Sequence, residues 1–190
     1  ITTVAGNGIA GSTGDGGPAT AARLNFPSGV AVDGLGNLYV ADTISHRIRR
    51  VDATTGFITK LAGTFQGFGG DGGQATEAGL HTPWAVALAG SASLYVADRG
   101  NFRLRRIDLA SGLIDTVAGN GTLGLPLVDG GDALGARLRS VTGLTVTAAG
   151  QVLLAEEGAY RVARLDPVAG TLHTFAGVGL RGDGGDGGPA

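Results

Sequence analysis

The protein has 190 residues, 43% of them apolar and 16% charged, with a formal net charge of −2. That length supports one domain with a sizeable core, and the composition excludes a disordered chain and weighs against a nucleic-acid surface. Cysteine is absent, which excludes disulfides, zinc ribbons and thiol catalysis, and no apolar run of the ~18 residues needed for a membrane helix occurs.

Methionine is absent too, so the expectation is a processed chain or a segment of a longer one. The first residues do not read as a basic-then-apolar leader. Glycine is the compositional outlier at 37 residues. It lacks the three-residue period of collagen and clusters in recurring stretches, which points to repeated turns.

Ile1-Thr-Thr-Val-Ala-Gly6 opens the chain and recurs as Ile58–Gly63, Ile114–Gly119 and Leu172–Gly177, at spacings of 57, 56 and 58 residues. A second marker, Asp-Gly-Gly, begins at Asp15, Asp71, Asp129 and Asp186, spaced 56, 58 and 57. Two markers on one period define an internal repeat. The units run over about 1–57, 58–113 and 114–171, with a partial fourth at 172–190, all within a single domain.

After each glycine-rich insert, a Pro-Ala-rich stretch such as Pro18 to Leu24 predicts one short helical turn with Pro18 at its first position. Leu24, Leu80 and Leu138 would pin this turn to the core. A short β-rich run follows at Gly29–Asp33, then a Gly36-Asn37 turn, then Leu38–Asp42, Arg47–Asp52 and Phe57–Leu61. The second unit repeats these four strands at Ala85–Leu88, Leu94–Asp98, Arg103–Asp108 and Leu113–Val117. The third places them at Gly143–Val146, Val152–Glu156, Arg161–Asp166 and Thr171–Phe175.

The turn before each fourth strand reads Asp-x-x-x-Gly, from Asp52, Asp108 and Asp166. There the Asp side chain bonds nearby amides and the glycine supplies a positive φ. Four short hairpin-linked strands per unit, repeated radially, make an all-β fold: a β-propeller of four-stranded antiparallel blades. Three complete blades plus an extra strand are present. Weak period-2 alternation suits blades covered on both faces.

Phe26 to Asp52 resembles an NHL repeat, with Gly36-Asn37, Tyr39-Val-Ala-Asp42 and His46-Arg47-Ile48 in the family's order. Later units are looser: Tyr95-Val-Ala-Asp98 persists, Asn101-Phe102-Arg103 replaces the histidine, and Leu153-Leu-Ala-Glu156 and Ala159-Tyr160-Arg161 depart further. The resemblance implies a six-bladed ring. Its other blades would lie in a longer chain or come from a second copy in a homodimer. In the second case Ile1 to Ala5 and Leu172 to Ala176 would compete for one outer-strand place. The glycine-rich inserts resemble those of bacterial, secreted or surface members, which implies an extracellular or cell-surface setting.

Candidate functional residues divide into four groups. Arg47, Arg49, Arg50, Arg103, Arg105, Arg106, Arg161 and Arg164 supply 8 of the 14 basic residues, and they recur in step with Asp42, Asp98, Glu156, Asp52, Asp108 and Asp166. That coupling favours a structural ladder of bidentate pairs over an anion stripe. Asp15, Asp71, Asp129 and Asp186, with Asp132 and Asp183 beside two of them, offer oxygen ligands that calcium could use. One carboxylate per loop makes loop closure the stronger reading, and no cofactor is expected.

His46, His81 and His173 fall at three different places in the repeat, and no catalytic set carries over from propeller lactonases or lyases. Trp84, His46, Phe102 and Tyr160 are the candidates for contact with a ligand on the loop face. The expectation is a non-catalytic binding or scaffold propeller for a protein or small ligand. The alternatives are a lactonase- or lyase-like enzyme with its central metal mostly outside this segment, and an RNA-binding domain, which the net charge disfavours.

Overall fold

The computed structural model describes residues 1–124, 129–180 and 182. Asp183 and Asp186 of the candidate calcium set lie outside the described residues. Each repeat folds as one antiparallel sheet in which the four strands follow the chain from the inside outward. In blade 1 they are Pro27–Val32, Leu38–Asp42, Arg47–Val51 and Phe57–Ala62. Blade 2 uses Pro83–Ala89, Ser93–Asp98, Arg103–Asp108 and Leu113–Ala118, and blade 3 uses Val141–Val146, Val152–Glu156, Arg161–Asp166 and Thr171–Ala176. The inner strands begin two residues earlier than the sequence pattern suggests, because Pro27, Pro83 and Val141 pair with the last residue of the second strand across a bulge.

Turn chemistry sets the hairpins. Asp33 Oδ1 accepts the amides of Leu35 at 3.0 Å and Asn37 at 2.9 Å, while Gly36 takes φ 84°. Before each outer strand, Asp52, Asp108 and Asp166 accept amides two and three residues ahead. Gly56, Gly112 and Gly170 close those turns at φ 69°, 75° and 67°. These bonds hold all three carboxyls below the usual carboxylate range, led in each by the amide three residues on, from Thr55, Ser111 or Ala169.

The inserts add a feature the strand pattern does not show. Gly17–Pro18, Gly73–Gln74 and Gly131–Asp132 each form a two-residue fifth strand against the outer strand of the blade that follows. Pro18 therefore lies in a strand, and the expected helical turn shrinks to a 3-10 turn over Ala19–Ala21, with a second at Ala75–Glu77. The turn stops after three residues because Ala22 is already extended, with ψ 159°, and the Arg23 amide donates to Thr13 O at 3.0 Å instead of to a carbonyl of the turn. Ala19, Ala22, Ala75, Ala78, Ala133 and Ala136 are buried there. Leu80 and Leu138 are fully buried, whereas Leu24 is half-buried.

The core lies in the seams between blades. One cluster joins Tyr39, Ala41 and Ile48 of blade 1 to Val86, Leu94 and Val96 of blade 2. Another joins Tyr95, Ala97 and Leu104 to Val141, Val152 and Leu154 of blade 3. Burial on both faces removes the need for alternating polarity, and Tyr39 through Asp42 are all buried. Position in the row decides exposure: Val30 is 64% exposed on the outward face of blade 1, while its counterpart Val86 is 6% exposed in the seam. Ile1–Ala5 carries the outer-strand sequence but pairs with no strand, because a ladder needs a neighbour to bond.

Gly29 shows how tightly the seam closes. A Cβ there would lie 2.6 Å from Trp84 O and 3.0 Å from the Ala85 Cα. Gly29→Ala is expected to destabilise the protein by about 1–3 kcal/mol, as overpacking does. Gly34→Ala, whose Cβ would meet nothing within 4 Å, is the control. Thermal unfolding of the two variants checks this, and only Gly29→Ala should lower the midpoint.

Candidate functional site

The loop face carries the links between second and third strands and the residues leading into each inner strand. One carboxylate per blade ties these together. Asp42, Asp98 and Glu156, at the ends of the second strands, accept the amides of Asn25, His81 and Arg139 at 2.6, 2.7 and 2.8 Å. All three side chains are buried. The next residues, Phe26, Thr82 and Ser140, take φ of 56°, 45° and 48°. His46, Phe102 and Tyr160 likewise lie at 55°, 53° and 51°. Left-handed non-glycine residues cost about 1–3 kcal/mol each and persist only where surroundings over-determine them. Here the carboxylate clamp does so, and its recurrence in every blade makes it part of the frame.

Arginine neutralises the clamp from the third strand. Arg49 is fully buried and reaches Asp15 at 2.9 Å, Asp42 at 3.3 Å and Arg23 O at 3.4 Å. Arg105 repeats this with Asp71 at 2.7 Å and Asp98 at 3.4 Å. In blade 3 the equivalent residue is Ala163. There Glu156 is one methylene longer and meets Arg161 at 2.6 Å, while Asp129 caps the Thr174 amide and lies 4.0 Å from His173. Arg47 lies 3.9 Å from Asp15, and Arg50 pairs with Asp52 at 3.2 Å. Among the described residues no group of three or more His, Asp or Glu side chains gathers around one point.

The loop-face candidates fall into two places. His46 and His81, far apart in the repeat pattern, meet edge-on across the first seam with ring centroids 5.6 Å apart. His46 Nδ1 accepts the Thr82 amide at 3.0 Å, so that nitrogen carries no proton. Burial, then the neighbouring His81, hold the His46 pKa below its ordinary value. His81 Nε2 lies 3.1 Å from the Gln66 amide nitrogen.

Trp84 sits two residues beyond Thr82, with the Phe26 ring 5.9 Å away and the Arg99 guanidinium 4.7 Å over its ring. Phe26 is 61% exposed. Phe102 occupies the His46 position in blade 2, half-buried. Tyr160 occupies it in blade 3, exposed, beside Thr142, Glu157 and Arg161 around an open cavity of about 450 Å³. His173 stands apart on an outer strand.

Sequence reasoning missed Phe26 and Arg99, although a signal was there. Aligned by repeat, Ser28, Trp84 and Thr142 share one position, and Thr43, Arg99 and Glu157 another. In blade 1 the pair is a 2.5 Å hydroxyl contact between Ser28 and Thr43. In blade 2 the same two positions hold the bulkiest aromatic and a cation, which packing does not require.

This blade geometry has known counterparts. Residues 24–51 match the family model described as NHL repeat. Human teneurin-4 is 37% identical over 99 residues, 45% of this chain and 4% of that protein. Bovine NHL repeat-containing protein 2 is 38% identical over 90 residues, 46% of this chain and 12% of that protein. The chain is an NHL-repeat protein.

The Arabidopsis thaliana chloroplastic protein SUPPRESSOR OF QUENCHING 1 is 30% identical over 138 residues, 68% of this NHL chain and 13% of that protein. The NHL chain thus spans a small fraction of the curated relatives it matches. Among solved structures, an auxiliary nutrient binding protein from Bacteroides ovatus aligns with TM-score 0.60 and 19% identity over 82% of this chain and 37% of that one. Virginiamycin B lyase from Staphylococcus aureus aligns with TM-score 0.52 and 17% identity, over 78% and 40%. These two likenesses establish the β-propeller fold alone. No helix is long and apolar enough to cross a membrane among the described residues.

The clamp has a pH signature. Burial pushes the Asp98 carboxyl up to about 6, against the lowering pull of Asn101, the His81 amide and Arg105. A folded-state pKa above the unfolded 3.8 means the contribution is full below pH 3.8 and lost as pH rises to about 6. The stability of the wild type minus that of Asp98→Asn should fall over that window by up to about 3 kcal/mol and stay flat above it. Urea unfolding of both proteins at intervals between pH 3.5 and 7.5 measures the difference.

Proposed function

We propose that this NHL propeller is a non-catalytic binding module that takes a ligand on its loop face, at the seam between blades 1 and 2. The observation that carries the reading is the cluster of an exposed Phe26 against half-buried Trp84 and Arg99, on a backbone fixed by buried carboxylates. Loops on a rigid framework bind at low ordering cost. The exposed Phe26 ring, with the uncovered part of Trp84 beside it, gives up water contact when covered, so the cluster gains free energy from a partner. His46 and His81 flank it, and Phe102 and Tyr160 extend the same face around the arc. The Bacteroides ovatus protein of like fold is an auxiliary nutrient binding protein, which supports binding as a use of this architecture. An extracellular or cell-surface setting belongs to the same proposal, supported by the likeness of the glycine-rich inserts to those of secreted propellers.

Trp84 is the only tryptophan, so its fluorescence reports directly on the site. The protein is titrated with a panel of apolar acids, neutral alcohols, sugars and short peptides, and each mixture is checked by mass spectrometry. We expect a saturable change with at least one class, recovery of that ligand unaltered in mass, and at least tenfold weaker binding by Phe26→Ala at an unchanged melting temperature. Metal-dependent conversion of any panel member would overturn the non-catalytic reading, and a panel that leaves Trp84 unmoved would overturn the site.

A further inference from the structure

We propose that Arg99, Trp84 and Phe26 select a carboxylate carried on a flat or hydrocarbon body, so that the ligand of the loop face is an apolar organic acid. This rests on the binding reading above and names its ligand class.

Arg99 stacks its guanidinium over Trp84 at 4.7 Å. Among the described residues it makes no ion pair, whereas Arg47, Arg49, Arg50, Arg105 and Arg161 each meet a carboxylate within 4 Å. Its Nε is shielded from solvent and has no hydrogen-bond acceptor, as in Arg105, Arg106 and Arg164, so the group a ligand can reach is the pair of terminal nitrogens. An incoming carboxylate can bond that terminal pair through two N–H···O contacts. The indole face holds the cation from one side, and the planar fork of the guanidinium matches a carboxylate in geometry.

The body of the ligand is set by the second half of the cluster. Phe26 is 61% exposed and tilted 51° to the indole at 5.9 Å, so the two rings form an open apolar angle beside the charge. A hydrophilic anion would cover neither ring.

The backbone beneath is fixed before a ligand arrives. Asn101 Nδ2 donates to Asp98 Oδ2 and to Gly67 O, each at 2.8 Å, and the Gly100 amide donates to His81 O at 2.8 Å. Arg99 therefore projects from a turn held at three points, and binding orders only a side chain. The site is single in this chain: the equivalent positions are Ser28 with Thr43 in blade 1 and Thr142 with Glu157 in blade 3, where the sign of the charge is reversed.

Three probes separate charge from apolar contact: 3-phenylpropionate, the neutral 3-phenylpropanol and acetate, each titrated by calorimetry and ligand-observed NMR at pH 7.5. We expect phenylpropionate to bind at least tenfold more tightly than either of the others. Arg99→Gln should erase the preference of acid over alcohol without lowering the melting temperature. Phe26→Ala should weaken the acid and the alcohol together and leave their ratio intact. Equal binding of acid and alcohol to the wild type, or an acid preference that survives Arg99→Gln, overturns the proposal and leaves a binding face of other selectivity. Failure of all three probes overturns the proposal as well. The wider panel then decides the binding reading separately: it stands if a sugar or peptide still moves Trp84, and falls if nothing does.

Discussion

Two arginines with no solvent exposure, Arg49 and Arg105, hold the parts of this molecule in register. Each stands on a third strand and reaches a carboxylate on the second strand and another in the glycine-rich insert. The desolvation of such groups offsets much of their attraction, so the gain is in specificity more than in net stability. The insert aspartate can dock only where the arginine waits, and the strand aspartate is left free to bind the lead-in amide with its other oxygen. One buried bridge therefore sets both the wedge between blades and the entry angle of the inner strand.

Blade 3 shows that the function of the bridge matters more than its identity. With Ala163 in place of the arginine, the carboxylate becomes Glu156, and its extra length meets Arg161 from the edge of the same sheet. The lead-in amide of Arg139 is still bound at 2.8 Å. The insert loses its arginine, and Asp129 turns instead to the amide of Thr174 on the outer strand. The longer carboxylate thus keeps a charged partner where the third-strand arginine is absent.

The fold was legible because its local rules and its period agree. Asp-x-x-x-Gly loops, the Gly36-Asn37 turn and the Tyr-Val-Ala-Asp run each specify one hairpin, and three copies remove ambiguity about which strand follows which. Second-strand bounds such as Leu38–Asp42 and Val152–Glu156 could be read directly. The insert was misjudged as more helical than it is, since propensity in Ala19–Leu24 says nothing of Thr13, whose carbonyl takes the Arg23 amide. Ile1–Ala5 shows the same limit: its sequence is that of a strand, and a strand still requires a partner. The site was half legible. Trp84 and His46 stood out by type, but Phe26 and Arg99 matter through contacts between blades and between adjoining loops, and no spacing rule within one unit reports those. His46 meeting His81 is the plainest case, because a loop in one blade adjoins the lead-in of the next.

The placement of the cluster follows from the same packing. Blade 2 has both faces covered, so its inner-strand entry is fixed by Asp98 from within and by blade 1 from the side. There Thr43 Oγ1 donates to Pro83 O at 2.7 Å and Ser28 Oγ to Trp84 O at 2.6 Å. Those two hydroxyl bonds grip the backbone on both sides of the Trp84 amide. The Cα from which the Trp84 side chain leaves is thereby fixed, and the ring lies under the Arg99 guanidinium. Trp84 is half-buried there, and the ring left most open to solvent beside it is Phe26. The backbone beneath Phe26, Trp84 and Arg99 is thus fixed by bonds from both blades that meet at the seam.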